Sequence, residues 1–451
     1  MSRLAGEVQD INPDAAGTTA YPSRAEAWYA VVVLYLAYTF AFVDRQIMAF
    51  LVGPIRADFK LTDFEFSLIH GLAFVIFYST LGIPIARLAD RRNRRNLVAA
   101  GVALWSVMTS LCGLAGSYRQ LFAARLGVGV GEATLSPSAI SMISDLFPSE
   151  KRALPISLYS AGVHGGAGIA SIFGGLVVTY ALSGATQSIP LIGALRAWQA
   201  ALMLVGLPGL LVALLLLTVR EPVRKERQVA ASRVSLRELF AYMRANALVY
   251  ATLMVGAAFA ALASYGAFGW VPAMYARRFG WSAAQIGVAF GLVTLAFGTG
   301  GLLLGGLLAG RMTAAGHKAA YSKLMIFSMA GAILPAALLV AVNSPYWTMG
   351  CLALLVFFMS APIGLVQTAL QAITANEMRA QVIAIYLLAV TLIGTAIGPA
   401  AVALMTDKYF RNDTAVGSSI AVVATIAAAL SVMVFSLGIG AYERKMERSH
   451  V

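Results

Sequence analysis

Residues 219–246 read VREPVRKERQVAASRVSLRELFAYMRAN, the longest hydrophilic interruption in a chain of 451 residues. The whole chain is 59% hydrophobic and 12% charged, against roughly half and a quarter in soluble domains. This composition indicates an integral membrane protein. Within the interruption, SLRELFAYM alternates apolar and charged residues with helical spacing, which predicts a short amphipathic helix on the membrane surface.

Apolar runs of membrane-spanning length flank this linker, six before it and six after it. A helix needs about 20 apolar residues to cross a hydrocarbon layer of about 30 Å. The predicted spans cover residues 28–53, 64–87, 97–117, 119–145, 153–182, 197–219, 246–274, 283–310, 320–342, 346–373, 379–406 and 416–441. Six predicted spans on each side of the linker indicate an internal duplication of a six-helix unit. We therefore predict an all-α integral membrane fold with twelve transmembrane helices in two pseudo-symmetric six-helix bundles.

The linker also sets the predicted domain division. Residues 1–27 are polar, lack the apolar core of a secretory signal and are expected to form a disordered cytoplasmic tail. The N-terminal bundle covers 28–219, the cytoplasmic linker with its amphipathic helix 220–245, and the C-terminal bundle 246–441. Residues 442–451 form a second cytoplasmic tail.

The distribution of basic residues among the loops predicts the orientation of the chain in the membrane. The net charge is +13, and the lysines and arginines concentrate in alternate loops, after the second, fourth, sixth, eighth and last spans. The positive-inside rule then places both termini in the cytoplasm. Because the charge is not gathered on one soluble face, we expect no binding of nucleic acid. Cys112 and Cys351 fall inside spans without partners, so we expect no metal site.

Four charged residues lie inside spans of the first half, away from the span ends. FAFVDRQIMAF, residues 40–50, places Asp44 and Arg45 among apolar neighbours, and RLGVGVGEATL, which starts at residue 125, places Arg125 and Glu132 on one helix face. The glycine string of this second stretch follows no strand, which excludes a dinucleotide site. Intramembrane charges generally mark substrate or proton pathways, so these four are the candidate site for proton coupling and substrate.

Counting depth along the helices predicts how these charges pair. At 1.5 Å per residue, Asp44 lies roughly 13 Å and Arg125 roughly 9 Å below the same membrane surface, so the two can meet. Glu132 lies about 20 Å deep, where the long side chain of Arg45 can reach it. A carboxylate beside an arginine stays ionised, whereas one left alone in an apolar cavity takes up a proton. Exchange of partners would therefore bind and release protons; a static ion network that fixes helix packing is the alternative.

Polar residues in the second half and one histidine are the remaining cavity candidates. The spans of the second half carry almost no ionisable residue away from their ends, so the chemistry that moves charge is expected in the first half. The cavity candidates are His164, Tyr265, Gln367, Thr368, Gln371 and Tyr386.

Glycines mark the expected helix contacts. Small residues four apart let helices approach closely. Such residues occur in the fourth span, in SAGVHGGAGIASIFGG (160–175) and at the matching place of the second half in GTAIGPAAV (394–402). The predicted packing residues are Gly127, Gly131, Gly166, Gly398 and Pro399.

GIPIARLADRRNRRNLV, residues 82–98, resembles the loop signature of the major facilitator superfamily. Asp90, Arg91, Arg94 and Arg95 match its acidic and basic positions, while Ala86 and Asn93 stand where the family usually has glycines. The resemblance implies a cytoplasmic latch, in which Asp90 contacts a neighbouring helix and Arg91 supports it. A simple positive-inside loop would explain the arginines but not Asp90.

Three stretches together resemble the spinster group of this superfamily: FVDRQIMAFLVGPIRADFKLTDFEFSLI, LADRRNRR and GVGEATLSPSAISMISDLFPSEKRA. The resemblance implies alternating access and proton-coupled transport of amphipathic lipids, such as sphingosine phosphate or lysophospholipids, with export as the expected direction. Asp44, Arg45 and Glu132 would form the coupling and substrate-sensing set. It further implies a monomer in the bacterial inner membrane, with the proton as coupling ion and no cofactor.

Two other functions fit parts of the sequence. FVDR in the first span also resembles symporters of small organic anions such as hexuronates, although those are expected to carry more basic cavity residues than Arg45 and Arg125. A passive channel or lipid receptor would lack proton-driven accumulation. An enzyme is not expected, because the four histidines are scattered and only His164 lies deep in a span.

Overall fold

The computed structural model describes residues 21–148, 151–184, 188–189, 193–224 and 235–449. Residues 1–20 of the predicted tail and 225–234 of the predicted linker lie outside the described residues. Apart from a two-residue ribbon, β1 (Ser188–Ile189) paired with β2 (Gly193–Ala194), the described secondary structure is helical. The all-α prediction is confirmed.

The helices fall into two groups separated by a surface helix. The first half contains α1 Arg24–Phe50, α2 Val52–Phe59, α3 Asp63–Ser67, α4 Phe74–Arg91, α5 Arg94–Cys112, α6 Tyr118–Glu132, α7 Leu135–Leu146, α8 Ala153–Leu182 and α9 Ala197–Thr218. The linker contributes α10 Leu236–Ala245. The second half contains α11 Ala247–Phe279, α12 Ala283–Val293, α13 Thr299–Ala314, α14 Ala320–Ala337, α15 Pro345–Ile373, α16 Asn376–Leu392, α17 Gly398–Leu404 and α18 Val416–Ser449.

Short π-helical turns interrupt several of these helices. They join α3 to α4, α12 to α13, α16 to α17, and extend α17 at its end; their bounds are Leu68–Ala73, Thr294–Gly298, Ile393–Ile397 and Met405–Phe410. Each turn carries one extra residue relative to α-helix, which rotates the helix face that follows. The amphipathic helix expected in the linker is α10, capped by Ser235 and Glu238.

Among the described residues, eleven helical stretches are long and apolar enough to cross a membrane. The remaining predicted span, 119–145, is divided into α6 and α7 at Ala133 and Thr134. Pro137 explains the division, because it has no N–H to donate to the carbonyl of Ala133 and its ring clashes with that carbonyl. The two pieces together still cover the length of one crossing. At the end of the chain, α18 continues to Ser449, past the predicted limit at 441.

The two faces of the molecule differ in how the halves meet. We call the side that holds Arg24, Arg91 and Ser449 the terminal face, and the side that holds Phe50 and Phe279 the opposite face. On the opposite face Arg277 of α11 binds Asp63 of α3, and Thr179 of α8 accepts from the backbone N–H of Ala284 on α12. The halves are therefore joined on the opposite face.

Glycines shape the contacts between the halves. Along α8 and α12, a Cβ added to Gly168 would lie 2.8 Å from the carbonyl oxygen of Gly291, and one added to Gly291 would lie 2.6 Å from that of Gly168. In the stretch at 394–402, Gly398 lies against Gly266 of α11 within its own half, while the carbonyl oxygen of Thr395 would lie 2.1 Å from a Cβ added to Gly71 of the first half. Both stretches therefore occupy matching places and both take part in contacts between the halves.

Candidate functional site

Arg45 and Glu132 form an ion pair in the middle of the first half. Nε and Nη2 of Arg45 lie 2.7 and 2.6 Å from the same carboxylate oxygen, Oε2. The other oxygen, Oε1, is buried and has no hydrogen-bond partner among the described residues. The Glu132 side chain is 1% exposed and that of Arg45 is 23% exposed. The carboxylate is therefore enclosed, while the guanidinium has a free edge.

Aromatic rings surround the guanidinium of Arg45. Its Cζ atom lies 4.6 Å from the ring centroid of Phe74, 4.8 Å from that of Tyr78 and 5.5 Å from that of Phe42. A cation over aromatic faces within about 6 Å is attracted by their quadrupoles. The cage stabilises the guanidinium beside Glu132 without supplying a second anion, so the pair depends on one carboxylate.

Asp44 has a separate and fuller set of partners. The hydroxyl of Thr109 donates to Oδ1 at 2.5 Å, and Nη1 of Arg125 donates to Oδ2 at 3.1 Å. All three side chains are buried. Both contacts expected from depth are present, Asp44 with Arg125 and Arg45 with Glu132. The functional roles of these residues stay predictions.

The glycines of α6 allow Glu132 to come this close. A Cβ at Gly131 would lie 2.7 Å from the carbonyl oxygen of Gly101 on α5, and one at Gly127 would lie 2.6 Å from the sulfur of Met108. A Cβ at Gly129 would lie 2.2 Å from the carbonyl oxygen of Phe74 on α4. With side chains at these positions α6 would be held away from α4 and α5. The predicted packing roles of Gly127 and Gly131 agree with these contacts.

The remaining predicted packing residues also lie at close contacts. A Cβ at Gly166 would lie 3.2 Å from the ring of Phe42, which belongs to the Arg45 cage. The carbonyl of Pro399 accepts a hydrogen bond of 3.0 Å from the indole N–H of Trp270. Gly166 therefore sets the distance between α8 and α1, and Pro399 fixes α17 against α11.

The predicted cavity residues of the second half differ in exposure. Tyr265 is 44% exposed, and its phenol lies within electrostatic range of Arg45. Tyr386 is buried beside Tyr265. Because the opposite face is closed, the exposure of Arg45 and Tyr265 indicates a cavity that opens towards the terminal face. Gln367, Thr368 and Gln371 lie on the last turns of α15, half-buried or exposed, and the Thr368 hydroxyl donates to the carbonyl of Gly364.

Three tyrosines near the site were missed by sequence reasoning. Tyr38 of α1 stacks on Tyr159 of α8, with ring centroids 4.8 Å apart and an interplanar angle of 19°. Tyr78 belongs to the Arg45 cage. Tyr38 precedes Arg45 by seven residues and so lies on the same helix face. This spacing could have identified Tyr38 as a neighbour of the site.

The basic cluster at the terminal face is partly buried. Arg94 is 1% exposed and binds Asp145 at 2.5 Å and Glu221 at 2.9 Å. The backbone N–H of Arg95 donates to the other oxygen of Glu221. Arg94 thus joins α5 to α7 and to the segment after α9, a contact that the signature alone did not indicate. In the sequence, the acidic partners Asp145 and Glu221 stand in the stretches SDLF and REP, and nothing there relates them to Arg94.

Of the two residues of the predicted latch, Asp90 and Arg91, the structure describes the side chain of Arg91. Arg91 is exposed at the end of α4. The side chain of Asp90 lies outside the described part of the structure, so its latch role remains a prediction.

Five charged residues form an ion-pair cluster on the opposite face, and none was singled out from sequence. Asp63 receives two hydrogen bonds of 2.7 Å from Arg277 and one ion pair of 2.9 Å from Arg56. Arg56 also binds Asp413 at 2.8 Å. Asp407 accepts from the backbone N–H of Phe64 at 2.8 Å. Because Asp63 and Arg56 belong to the first half and the other side chains to the second, the cluster ties the halves together.

The three carboxylates of this cluster lie close enough for a metal ion, with oxygens within 4.8 Å of one another. The two arginines, however, already supply the positive charge that such a group needs. Asp63, at the centre, is fully buried and bound by both of them. The arrangement therefore fits an ion-pair contact between the two halves.

Comparisons with known proteins agree with this architecture. The chain is 30% identical over 404 residues to an MFS-type efflux pump of Mycolicibacterium smegmatis, a match covering 88% of this chain and 89% of that protein. It is 28% identical over 217 residues to protein spinster of Drosophila melanogaster, covering 47% of this chain and 33% of the fly protein.

A solved structure shows the same fold. The crystal structure of a bacterial homologue of the human lysosomal transporter Spinster, in an inward-facing and unoccupied conformation, superposes with a TM-score of 0.77. The sequences are 27% identical, and the match covers 95% of this chain and 99% of that one. Residues 34–399 match the sequence profile of the Major Facilitator Superfamily. The chain therefore belongs to the Major Facilitator Superfamily, as a multi-pass membrane transporter related to the spinster proteins and not an enzyme.

Proposed function

We propose that this transporter moves amphipathic lipids, of the sphingosine-phosphate or lysophospholipid type, across the membrane by alternating access coupled to protons. The observation that carries the proposal is the Arg45–Glu132 pair. It joins two helices at the cavity wall, holds an arginine with a free edge, and leaves one buried carboxylate oxygen without a partner.

In this mechanism the headgroup phosphate takes Arg45 away from Glu132. Arginine binds phosphate through paired, charge-assisted hydrogen bonds, so a phosphate entering the cavity competes directly with the carboxylate. Once Arg45 turns to the headgroup, Glu132 is left in an enclosed apolar site, where the protonated form is favoured. Substrate binding is then linked to uptake of a proton, and release of the substrate restores the pair and expels the proton.

Asp44 has a different part in the proposal. It keeps Thr109 and Arg125 as partners, and all three are buried away from the cavity. Headgroup binding at Arg45 leaves these contacts intact. We therefore assign the titrating position to Glu132 and a positioning role to Asp44, which holds α1 so that the next residue, Arg45, points at α6.

The opposing cavity wall fits an acyl chain. The second half contributes Tyr265 and Tyr386 near the site, while its charged residues lie at helix ends. A molecule with an anionic head and an apolar tail can place the head at Arg45 and the tail along the second half. A small sugar acid has no part that would use this apolar wall.

The same proposal includes orientation and working form. The basic loops of the terminal face favour a cytoplasmic location for that face and for both termini. The protein would then act as a monomer in the bacterial inner membrane, with its cavity open to the cytoplasm in the described conformation.

The proposal is tested by binding a ligand panel to the purified protein in nanodiscs. The panel contains a lysophospholipid, a sphingoid phosphate and a hexuronate, each at several pH values. We expect both lipids to bind and Arg45→Gln to weaken their binding at least tenfold, since one charge-assisted phosphate contact contributes about 1.5–3 kcal/mol. Arg119→Gln, an exposed arginine at the start of the helix that carries Arg125, is the matched control and should bind like the wild type.

Two results would point elsewhere. Binding of the hexuronate without the lipids would indicate a symporter of small organic anions. Lipid binding that leads to no proton-driven accumulation in liposomes would indicate a passive channel or a lipid receptor.

A further inference from the structure

His164 makes a hydrogen bond between the two halves that the proposed function does not use. Its Nε2 atom on α8 lies 2.8 Å from Oγ of Ser360 on α15. The histidine is 7% exposed and the serine 1% exposed. On the other side of the ring, a Cβ at Gly298 would lie 2.5 Å from Cδ2 of His164, so a glycine is required there for the ring to fit. The imidazole therefore fills a tight slot between the halves.

The partners of Ser360 determine which nitrogen carries hydrogen. A serine hydroxyl has one hydrogen to donate. Ser360 donates it to the carbonyl of Val356 at 2.6 Å. The hydroxyl then accepts from His164, so the imidazole carries a hydrogen on Nε2. Nδ1 is left as a buried lone pair with no partner among the described residues.

Within the described part of the chain, no carboxylate forms a hydrogen bond or ion pair with the ring that would compensate a proton on Nδ1. From α15 the ring meets Ser360, and from the turn before α13 it meets Gly298, neither of which ionises. On the side of α1, the hydroxyl of Tyr35 lies against Gly165. A protonated imidazole in this slot would be a buried cation without an anion, which is strongly unfavourable.

We propose that the protonation state of His164 controls the contact between the two halves. In its neutral form it joins α8 to α15 and stabilises the closed opposite face. Protonation at Nδ1 favours a conformation in which the ring reaches water, so the halves separate along α8 and the opposite face opens. Because this response needs no substrate, it goes beyond the proposed lipid transport and sets how readily the empty transporter changes conformation at a given pH.

The test measures the distance between spin labels across the opposite face, without lipid substrate. Labels are placed at Arg119→Cys of the first half and Tyr346→Cys of the second, both exposed, in a background with Cys112→Ala and Cys351→Ala. On lowering the pH from about 8 to about 5, across the usual histidine range, the wild type should show a several-fold rise in the long-distance population. His164→Gln should not show it, because the glutamine N–H can still donate to Ser360 but takes up no proton.

Two further variants distinguish an effect of the His164–Ser360 hydrogen bond from an effect of the Glu132 carboxylate and from an effect of side-chain packing. Ser360→Ala removes the acceptor and should raise the open population already at about pH 8. Glu132→Gln should keep the pH response, because Arg45 remains paired when no lipid is present. A wild type without the shift, a His164→Gln protein that shifts like the wild type, or loss of the shift in Glu132→Gln would each overturn the proposal. Since no lipid is used, failure to transport lipids would leave this result unaffected.

Discussion

Glu132→Gln should abolish proton-driven lipid accumulation while leaving the protein folded. Glutamine keeps the size of the side chain and an oxygen that accepts from Arg45, but it takes up no proton when Arg45 turns to the headgroup. Coupling energies between linked sites correspond to about 5- to 150-fold in affinity, so we expect the accumulation ratio under a pH gradient to fall about tenfold or more. The measurement is uptake of a fluorescent lysophospholipid into liposomes with and without a pH gradient.

Asp44→Asn provides the contrast for this prediction. It leaves the buried Arg125 without its anion, and removing one partner of a buried pair costs about 3–5 kcal/mol. We expect a lower melting temperature in detergent but a preserved ratio of protons to lipid in the protein that remains folded. If Glu132→Gln accumulated lipid like the wild type while Asp44→Asn lost its coupling, the assignment of the titrating position would be wrong.

Arg277→Ala should open the opposite face. Arg277 supplies both 2.7 Å hydrogen bonds that join Asp63 to the second half, and Asp63 is fully buried. Without Arg277, the Asp63 side chain keeps one ion-pair partner among the described residues, Arg56, which belongs to its own half. Loss of about 2 kcal/mol from the closed conformation alone would change the ratio of closed to open molecules by about thirtyfold. The spin-label pair across this face would report the change as a larger long-distance population.

The neighbouring arginine is the matched control for this experiment. Arg278 donates to the carbonyls of Val340 and Val342 and to the side chain of Asn343, all within the second half. Arg278→Ala should therefore leave the distance distribution unchanged. Equal opening in both variants would show that the ion pair with Asp63 does not hold the halves together.

The sequence predicted the parts of the site that follow from distances along helices. The rise per residue places Asp44 level with Arg125, and Arg45 within reach of Glu132, and both pairs are present. The six-plus-six arrangement followed from apolar run lengths in the same way. These features depend on one helix at a time and on the thickness of the membrane, so no knowledge of the packing was needed.

Features that depend on contacts between distant segments were not predicted. Asp63 and Arg277 are 214 residues apart, and nothing in either loop indicates the other. Likewise, His164 was expected to line a cavity, but it lies in a slot that exists only because Gly298 faces it from the second half. The division of the fourth span could have been foreseen from Pro137, whereas the π-helical turns carry no comparable local signal.

Proton uptake during lipid binding tests the central claim most directly. Lysophospholipid is mixed with the protein in weakly buffered solution containing a pH indicator, and the protons taken up per bound lipid are counted. The account predicts uptake by the wild type and none by Glu132→Gln at the same lipid occupancy. Equal proton uptake by both proteins would contradict it.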